Sequence, residues 1–436
     1  MIASKKTLAA LIAVVLVLCA GIYFALTYNK DSDKELEEDG ETSIVTAFEK
    51  DYSLLDAVKI SNSEGEFEFA KIGEDKFEAD GNPDIILNNS RVKFLFDEIC
   101  SVTAEKEVEK SASDLSKYSL DAPKSVVTAH FSDGDVIIFK IGGQTSTGSY
   151  FMAVDDDVYI VSTSKGSLFE NNLAYYRNTN ILSVSADDLT QISFAGENDT
   201  VTLKKEGNDW KITAPINTDA YQGSVNEHIL TKFENISISE FVEDNAVDLS
   251  KYGFSRYVYF EDSKGAKQKI LVGSKSGSGY YIMLENSKSV YTSPIDSLSF
   301  ISLKAINFTD GFACLTNIKD ITGVDVNDIQ NGKKYAFSID RNGENETYKA
   351  NGVEVMKEKF TDIYQKIIGI KASDFAFGKN GGEKICEIVY HMNDGSDKTV
   401  EIYTLEVRKY LAKVSDKGDY IIPSGDVDDM LAAVKE

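Results

Sequence analysis

A seven-residue motif occurs twice in this chain, and its repetition constrains the fold more than any other feature. Asp114-Leu-Ser-Lys-Tyr-Ser-Leu120 returns 134 residues later as Asp248-Leu-Ser-Lys-Tyr-Gly-Phe254. Shorter echoes keep the same order. Ile141-Gly142 recurs as Val272-Gly273, Gly148-Ser-Tyr-Phe-Met152 as Gly279-Tyr-Tyr-Ile-Met283, and Val158-Tyr159 as Val290-Tyr291. A looser third copy carries Asp374-Phe-Ala-Phe-Gly378 and then Asp419-Tyr420-Ile-Ile. A long period of this kind means one structural plan built several times. The spacing drifts by a few residues, as variable hairpin loops allow.

The same elements surround each copy. Short alternating runs upstream read as strands, with Asn342-Gly343 as a hairpin turn. One helix follows in each. Its apolar stripe is Val92, Leu95, Phe96 and Ile99 in the first copy, Val225, Ile229, Phe233 and Ile236 in the second, and Met356, Phe360, Ile363 and Ile367 in the third. Two hairpins complete each copy, with Asp133-Gly134 and Asp394-Gly395 suited to tight turns. The expected fold class is α+β: an N-terminal transmembrane helix, then three tandem repeats, each an antiparallel β-sheet unit with one main packing helix. The expected divisions are an anchor at 1–29, an acidic stalk at 30–46, and repeats at 47–183, 184–308 and 309–436.

The anchor rests on residues 8–26, nineteen residues without a charge behind Lys5 and Lys6. That length matches the hydrocarbon core of a bilayer. Leu18-Cys19-Ala20 is a poor cleavage site, and Leu18 stands where a lipidation signal wants a small residue. An uncleaved anchor is the preferred reading; a cleaved signal and a lipidated Cys19 stay open. Flanking charge then puts the N-terminus inside and the bulk outside, a single-pass protein of the cytoplasmic membrane. The polar stretch that follows crowds seven acids into residues 31–41 and reads as an extended stalk.

The motif set resembles the bacterial domain-of-unknown-function family 4340 (DUF4340). It comprises the Asp-Leu-Ser-Lys-Tyr turn, the hairpin after it, the Ile/Val-Gly pair, the Gly-x-Tyr-Tyr/Phe strand and the Val-Tyr strand. Trp210-Lys-Ile-Thr-Ala-Pro215 resembles the family's strand-to-turn signature. Tyr176-Arg177-Asn178, leading to Ile181-Leu182, resembles the link between its units. The resemblance is strongest over about residues 50–305 and weak over 306–436. It implies an envelope protein found with ABC-type export components and carries no chemistry over.

Composition narrows function by exclusion. With 46 Lys+Arg against 71 Asp+Glu the formal charge is −25, which argues against a nucleic-acid partner. No phosphate-binding glycine loop and no G-x-S-x-G elbow is present. His130 and His391 occupy matching His-x-x-Asp-Gly positions before hairpin turns, and His228 lies on a helix; all three read as structural. Asp155-Asp-Asp157 suits a hairpin tip and Asp426-Val-Asp-Asp429 a helix start, while Asp325-Val-Asn-Asp328 lacks EF-hand spacing. Cys100, Cys314 and Cys386 have no metal spacing and read as buried, with a Cys314–Cys386 bridge left open. Trp210 aligns with Phe77 and Tyr348, as a core position would.

No catalytic, cofactor-binding or metal-binding residue is therefore assigned. The expected function is that of a non-enzymatic, membrane-anchored extracytoplasmic accessory protein. Its expected partner is a membrane or envelope protein complex such as ABC transporter subunits, with the lipid bilayer met through the N-terminal helix. The alternative is a cell-wall or glycan-binding surface protein using its many strand tyrosines. A carboxylate-based envelope hydrolase is the remaining enzymatic reading.

Overall fold

The computed structural model describes residues 44–435 apart from 197, 198, 344 and 416. The expected span at 8–26 lies outside the described residues, as does all but the end of the expected stalk. Val45 and Thr46, expected in that stalk, already belong to a strand, Val45–Glu49.

The expected fold class requires correction. The described chain is mostly antiparallel strand arranged in four sheets, not a spanning helix followed by units of one sheet and one main helix. No helix among the described residues is long and apolar enough to cross a membrane. Asn89–Cys100 and Lys357–Ile368, the longest of them, have 12 residues each and alternate apolar with charged faces. Twelve residues reach about 18 Å, well short of a bilayer core. The single-pass membrane location is accordingly without support and is withdrawn.

One sheet is small: Val45–Glu49 pairs with Ser101–Ala104. The other three share a strand order. In the first it runs Lys76–Ala79, Gly65–Gly73, Leu55–Asn62, Ser125–Phe131, Val136–Gln144, Tyr150–Val154, Asp157–Val161, Lys106–Glu109. The second runs Thr218–Asp219, Asp209–Ala214, Thr200–Glu206, Leu189–Ala195, Arg256–Asp262, Lys267–Ser276, Gly279–Leu284, Val290–Pro294, Glu240–Glu243. The third runs Val353–Val355, Asn345–Ala350, Lys333–Asn342, Ile321–Asp328, Lys384–Met392, Asp397–Glu406, Lys409–Val414, Gly418–Pro423, Asp374–Phe375. Each time the chain hairpins outward from a central strand and passes through a helix to the far edge. It then returns to the centre and hairpins out to meet that edge.

Alternation explains the strands. Ser125–Phe131 buries every second residue, so one face meets the core and the other stays half-open. The stripe residues Val92, Leu95, Phe96 and Ile99 are all fully buried. In the second copy the helix is not regular: Gln222–Val225 and Thr231–Phe233 are α-helical, and Asn226–Leu230 forms a π turn. Its buried residues Val225, Ile229 and Phe233 step by four. In a regular helix each such step drifts by about 40° around the axis. A wider π turn takes up that drift and keeps all three on the sheet.

Three further expectations fail. Met356 is 74% exposed and precedes the third helix, whose stripe is Phe360, Ile363, Tyr364 and Ile367. Asp374–Phe375 is the far-edge strand, the counterpart of Lys106–Glu109 and Glu240–Glu243, and so does not correspond to the Asp-Leu-Ser-Lys-Tyr turn. One helix per copy also understates the helices, since Thr163–Glu170 and Ser424–Ala433 add a second in two of them.

The chain divides into two compact units. One comprises the residues up to Glu68 with Phe94–Asn171, and the other Phe69–Lys93 with Asn172–Glu436. In the latter, the second and third large sheets share a continuous core from Ile181 to Val434.

Candidate functional site

The repeated motif builds a clasp. A carboxylate oxygen of Asp114 accepts from the Ser116 amide at 3.2 Å and the Ser116 hydroxyl at 2.6 Å; Asp248 does the same for Ser250 at 2.9 and 2.6 Å. The short helical turn that this starts ends left-handed, at Ser119 (φ 57°) and Gly253 (φ 64°). It presents the tyrosine to the far-edge strand. Tyr118 donates to Glu109 at 2.7 Å, and Tyr252 donates to Glu243. The rings pack on Phe151 and Tyr281, with centroids 5.1 and 4.9 Å apart.

The glycine pair explains itself here. A Cβ on Gly142 would lie 2.3 Å from the Tyr118 carbonyl oxygen, and one on Gly273 2.3 Å from that of Tyr252. Only glycine allows the turn to seat so closely. Both glycines sit where the strand register shifts. The Glu109 bond holds the Tyr118 phenol above its ordinary pKa. The Lys251 ammonium, 2.7 Å away, and then the Tyr252 phenol hold Glu243 below the usual carboxylate range.

Beside the second clasp lies a cavity of about 710 Å³. Gly253 of the clasp helps to line it, with Gly196, Ser255, Arg256, Ser274, Lys275 and Tyr280. The Arg256 guanidinium lies 4.7 Å over the Tyr280 ring and donates to the Gly273 carbonyl. The Lys275 ammonium is 5.8 Å from the same ring.

The other marked residues are spread among structural tasks. His130 is half-buried and pairs with Val136 beside its turn. His228 lies in the π turn, edge-on to Phe308 at 6.1 Å. His391 sits between two carboxylates, with Nδ1 2.8 Å from Asp397 and Nε2 3.5 Å from Asp325. Asp156 and Asp157 accept from the backbone of Ala112 and Ser111 at a hairpin tip. Asp328 is fully buried, bonded to Asn331 and 3.6 Å from Lys435. Asp426 accepts from the Lys371 amide at 3.0 Å. Cys100, Cys314 and Cys386 are buried free thiols, so Cys314 and Cys386 form no bridge. Among the described residues, no group of three or more His, Cys, Asp or Glu is placed to hold a metal ion.

Trp210, Phe77 and Tyr348 are core residues, 5–7% exposed. Most strand tyrosines point inward too; Tyr150, Tyr159, Tyr280, Tyr291 and Tyr420 are buried.

The sequence matches the family described as "Domain of unknown function (DUF4340)" over residues 79–256 and again over 210–385. The two matches overlap and are staggered by about one repeat. No curated protein matches the chain. A solved structure provisionally assigned as a DNA polymerase III beta subunit, from Eubacterium rectale, shares 8% identity over 84% of this chain and 89% of that one. Its TM-score is 0.13.

Proposed function

We propose that this chain, which belongs to the DUF4340 family, is a non-catalytic accessory protein that docks on a partner protein complex. The observation that carries the reading is how the shared motif is used. Its aspartate caps a turn, its tyrosine ties that turn to an edge strand, and its glycine admits the tyrosine carbonyl. The residues that this chain repeats are thus spent on holding a sheet edge in place. A scaffold that presents ordered edges and the loops beside them is suited to partner binding, since edge strands and shaped loops are common docking features. The partner class that the family's company implies is an ABC-type export complex. The glycan-binding alternative depends on a stripe of exposed tyrosines, whereas the strand tyrosines are mostly buried, so it is not carried forward.

The experiment is in-cell crosslinking of the tagged full chain in its bacterial host, followed by purification and mass spectrometry. Recovery of an ABC ATPase and permease in stoichiometric amounts is expected. Recovery of the chain alone, at native expression level, would overturn the docking reading.

A further inference from the structure

The three copies act as internal controls on one another where the chain enters its main helix. Asn88, Tyr221 and Met356 stand directly before that helix in the first, second and third copies. The aromatic core position marks the three places as equivalent. The Phe77 and Trp210 amides donate to the side chains of Asn89 and Gln222, the Ala220 amide donates to the Trp210 carbonyl, and Val355 pairs with Tyr348. In two copies a later segment of the chain crosses this edge as a strap. The Asn88 amide donates to the Tyr176 carbonyl at 2.8 Å, the Asn178 amide donates to the Ile86 carbonyl at 2.8 Å, and Leu87 and Arg177 form an antiparallel bridge. In the second copy the Tyr221 amide donates to the Phe308 carbonyl at 2.7 Å. Both strap aromatics, Tyr176 and Phe308, are fully buried.

The third copy has the edge without the strap. In an antiparallel edge strand alternate residues turn their N–H and C=O outward. Val355 is turned inward to Tyr348, so Glu354 and Met356 face out, as Ile86 and Asn88 do in the first copy. Among the described residues no backbone group bonds to the Met356 amide. The side chains are open with it. Met356 is 74% exposed and Val353 68%, and Val355 is only half-buried where Leu87 and Ala220 are buried.

We propose that this edge of the third copy receives an extended segment of a partner protein carrying an aromatic residue, as the other two copies receive the chain's own straps. The surface continues an interface that the chain already uses twice, and that use says what covers it. The proposal rests on the docking reading and gives it a place. Strand addition draws affinity from main-chain bonds and choice from the side chains beside them. Here the Met356 amide and the Glu354 carbonyl supply the main-chain bonds, in the roles of Asn88 and Ile86. The exposed Met356 thioether suits an aromatic ring, since sulfur–aromatic contacts are favourable, and Val353 extends the apolar rim.

The probes are two synthetic peptides with the chain's own strap sequences, residues 172–180 and 304–312. In the full chain the copies that own these straps are already covered, which leaves the third edge open to a free peptide. Fluorescence anisotropy should show saturable binding of one equivalent of at least one peptide, and hydrogen exchange should slow at the Met356 amide. Tyr176→Ala or Phe308→Ala in the peptide should weaken binding about tenfold. Met356→Pro removes the donor with little strain, because the φ of −64° there is the one proline requires and Val355 before it is already extended. It should weaken binding about tenfold and keep the urea midpoint. Failure of both peptides to saturate would overturn the proposal, as would binding that Met356→Pro leaves intact. So would slow exchange at Met356 before any peptide is added. Dimers of the chain that Met356→Pro abolishes would assign the edge to a second copy and overturn the partner. If Met356→Pro recovers crosslinked partners as the parent chain does, this surface fails and the docking reading stands. If no variant recovers a partner while the peptides still bind, the docking reading fails and the edge stands.

Discussion

Arg177 grips Asp244 with both terminal guanidinium nitrogens, at 2.7 and 2.8 Å. The arginine is 4% exposed, while the aspartate side chain keeps 30%. The guanidinium plane also lies 3.9 Å over the Phe241 ring. Arg177 belongs to the segment leading into the second sheet, and Asp244 directly follows that sheet's edge strand, Glu240–Glu243. Backbone bonds from Asn178 to Ile86 and from Ile238 to Thr179 fasten the same segment. The pair therefore pins the start of the second copy to its own far edge.

The pair's two halves should not be equivalent. Asp244→Asn leaves a buried cation without its counter-charge, and removal of one partner from a buried pair costs about 3–5 kcal/mol. Arg177→Met keeps the contact with Phe241 and leaves only a half-solvated carboxylate behind, so its cost should be smaller, about 1–2 kcal/mol. Urea midpoints of the two variants, compared at one pH, check the order. Equal losses would contradict it.

The thiols offer a second check. Burial pushes the Cys386 thiol up to about 12, so almost none of it is thiolate at neutral pH. Cys100 and Cys314 are buried too, each 5% exposed against 0% for Cys386. In the native protein none of the three should react with an aromatic disulfide reagent within minutes at about pH 8, and all three should react in denaturant. Peptide mapping by mass spectrometry reads each site separately. A linked Cys314–Cys386 peptide would contradict the free thiols.

Periodicity made the helix stripes and hairpin turns legible because burial on one face leaves a direct imprint on sequence. Val92, Leu95, Phe96 and Ile99 are buried as their spacing says, and Gly134 and Gly395 take the positive φ expected of their turns. The third copy's edge strand was misplaced because Asp374-Phe375 imitates the motif's first residues, while the true correspondence lies in strand order. The Arg177–Asp244 pair was hidden for a related reason. Its partners are 67 residues apart; Arg177 stands in the link motif but Asp244 in none, and only the fold brings them together.

Two carboxylate clusters should set opposite pH dependences. Burial works against a charged His391, and hydrogen bonds to Asp397 and Asp325 outweigh it, so its pKa is raised above 6.5. The folded state holds this proton more tightly than the unfolded chain. The stabilisation is full below the ordinary histidine value and is lost as pH rises through the raised one. His391→Gln should therefore cost stability at about pH 5 and little at about pH 9. Glu346 behaves oppositely: Tyr348, Lys357 and Arg341 bond to it and bring its pKa to about 2. Its contribution is present above the ordinary carboxylate value and fades as pH falls toward about 2. Glu346→Gln should flatten the acid limb alone. Urea midpoints across the pH range distinguish the two, and a His391→Gln loss that grows with pH would contradict the imidazolium clamp.

The glycines of the clasp give the sharpest structural test, because the atom they meet is backbone. In Gly142→Ala and Gly273→Ala the new methyl would lie 2.3 Å from a carbonyl oxygen, and no side-chain rotation relieves that. Either the turn lifts or the strand bends, at about 1–3 kcal/mol. A lifted turn also pulls Tyr118 from Glu109, or Tyr252 from Glu243. Gly425 is the control: it lies in the helix Ser424–Ala433, and a Cβ there meets nothing within 4 Å. Gly425→Ala should be neutral or stabilising by about 0.5 kcal/mol. A chain of several cooperating sheets need not unfold in one step. Amide hydrogen exchange therefore serves better than a melting temperature. Gly142→Ala should speed exchange at Leu120 and Ser119, whose amides bond within the turn, and Gly273→Ala should do so at Gly253. Unchanged exchange at these amides would mean that the glycine is not what seats the turn.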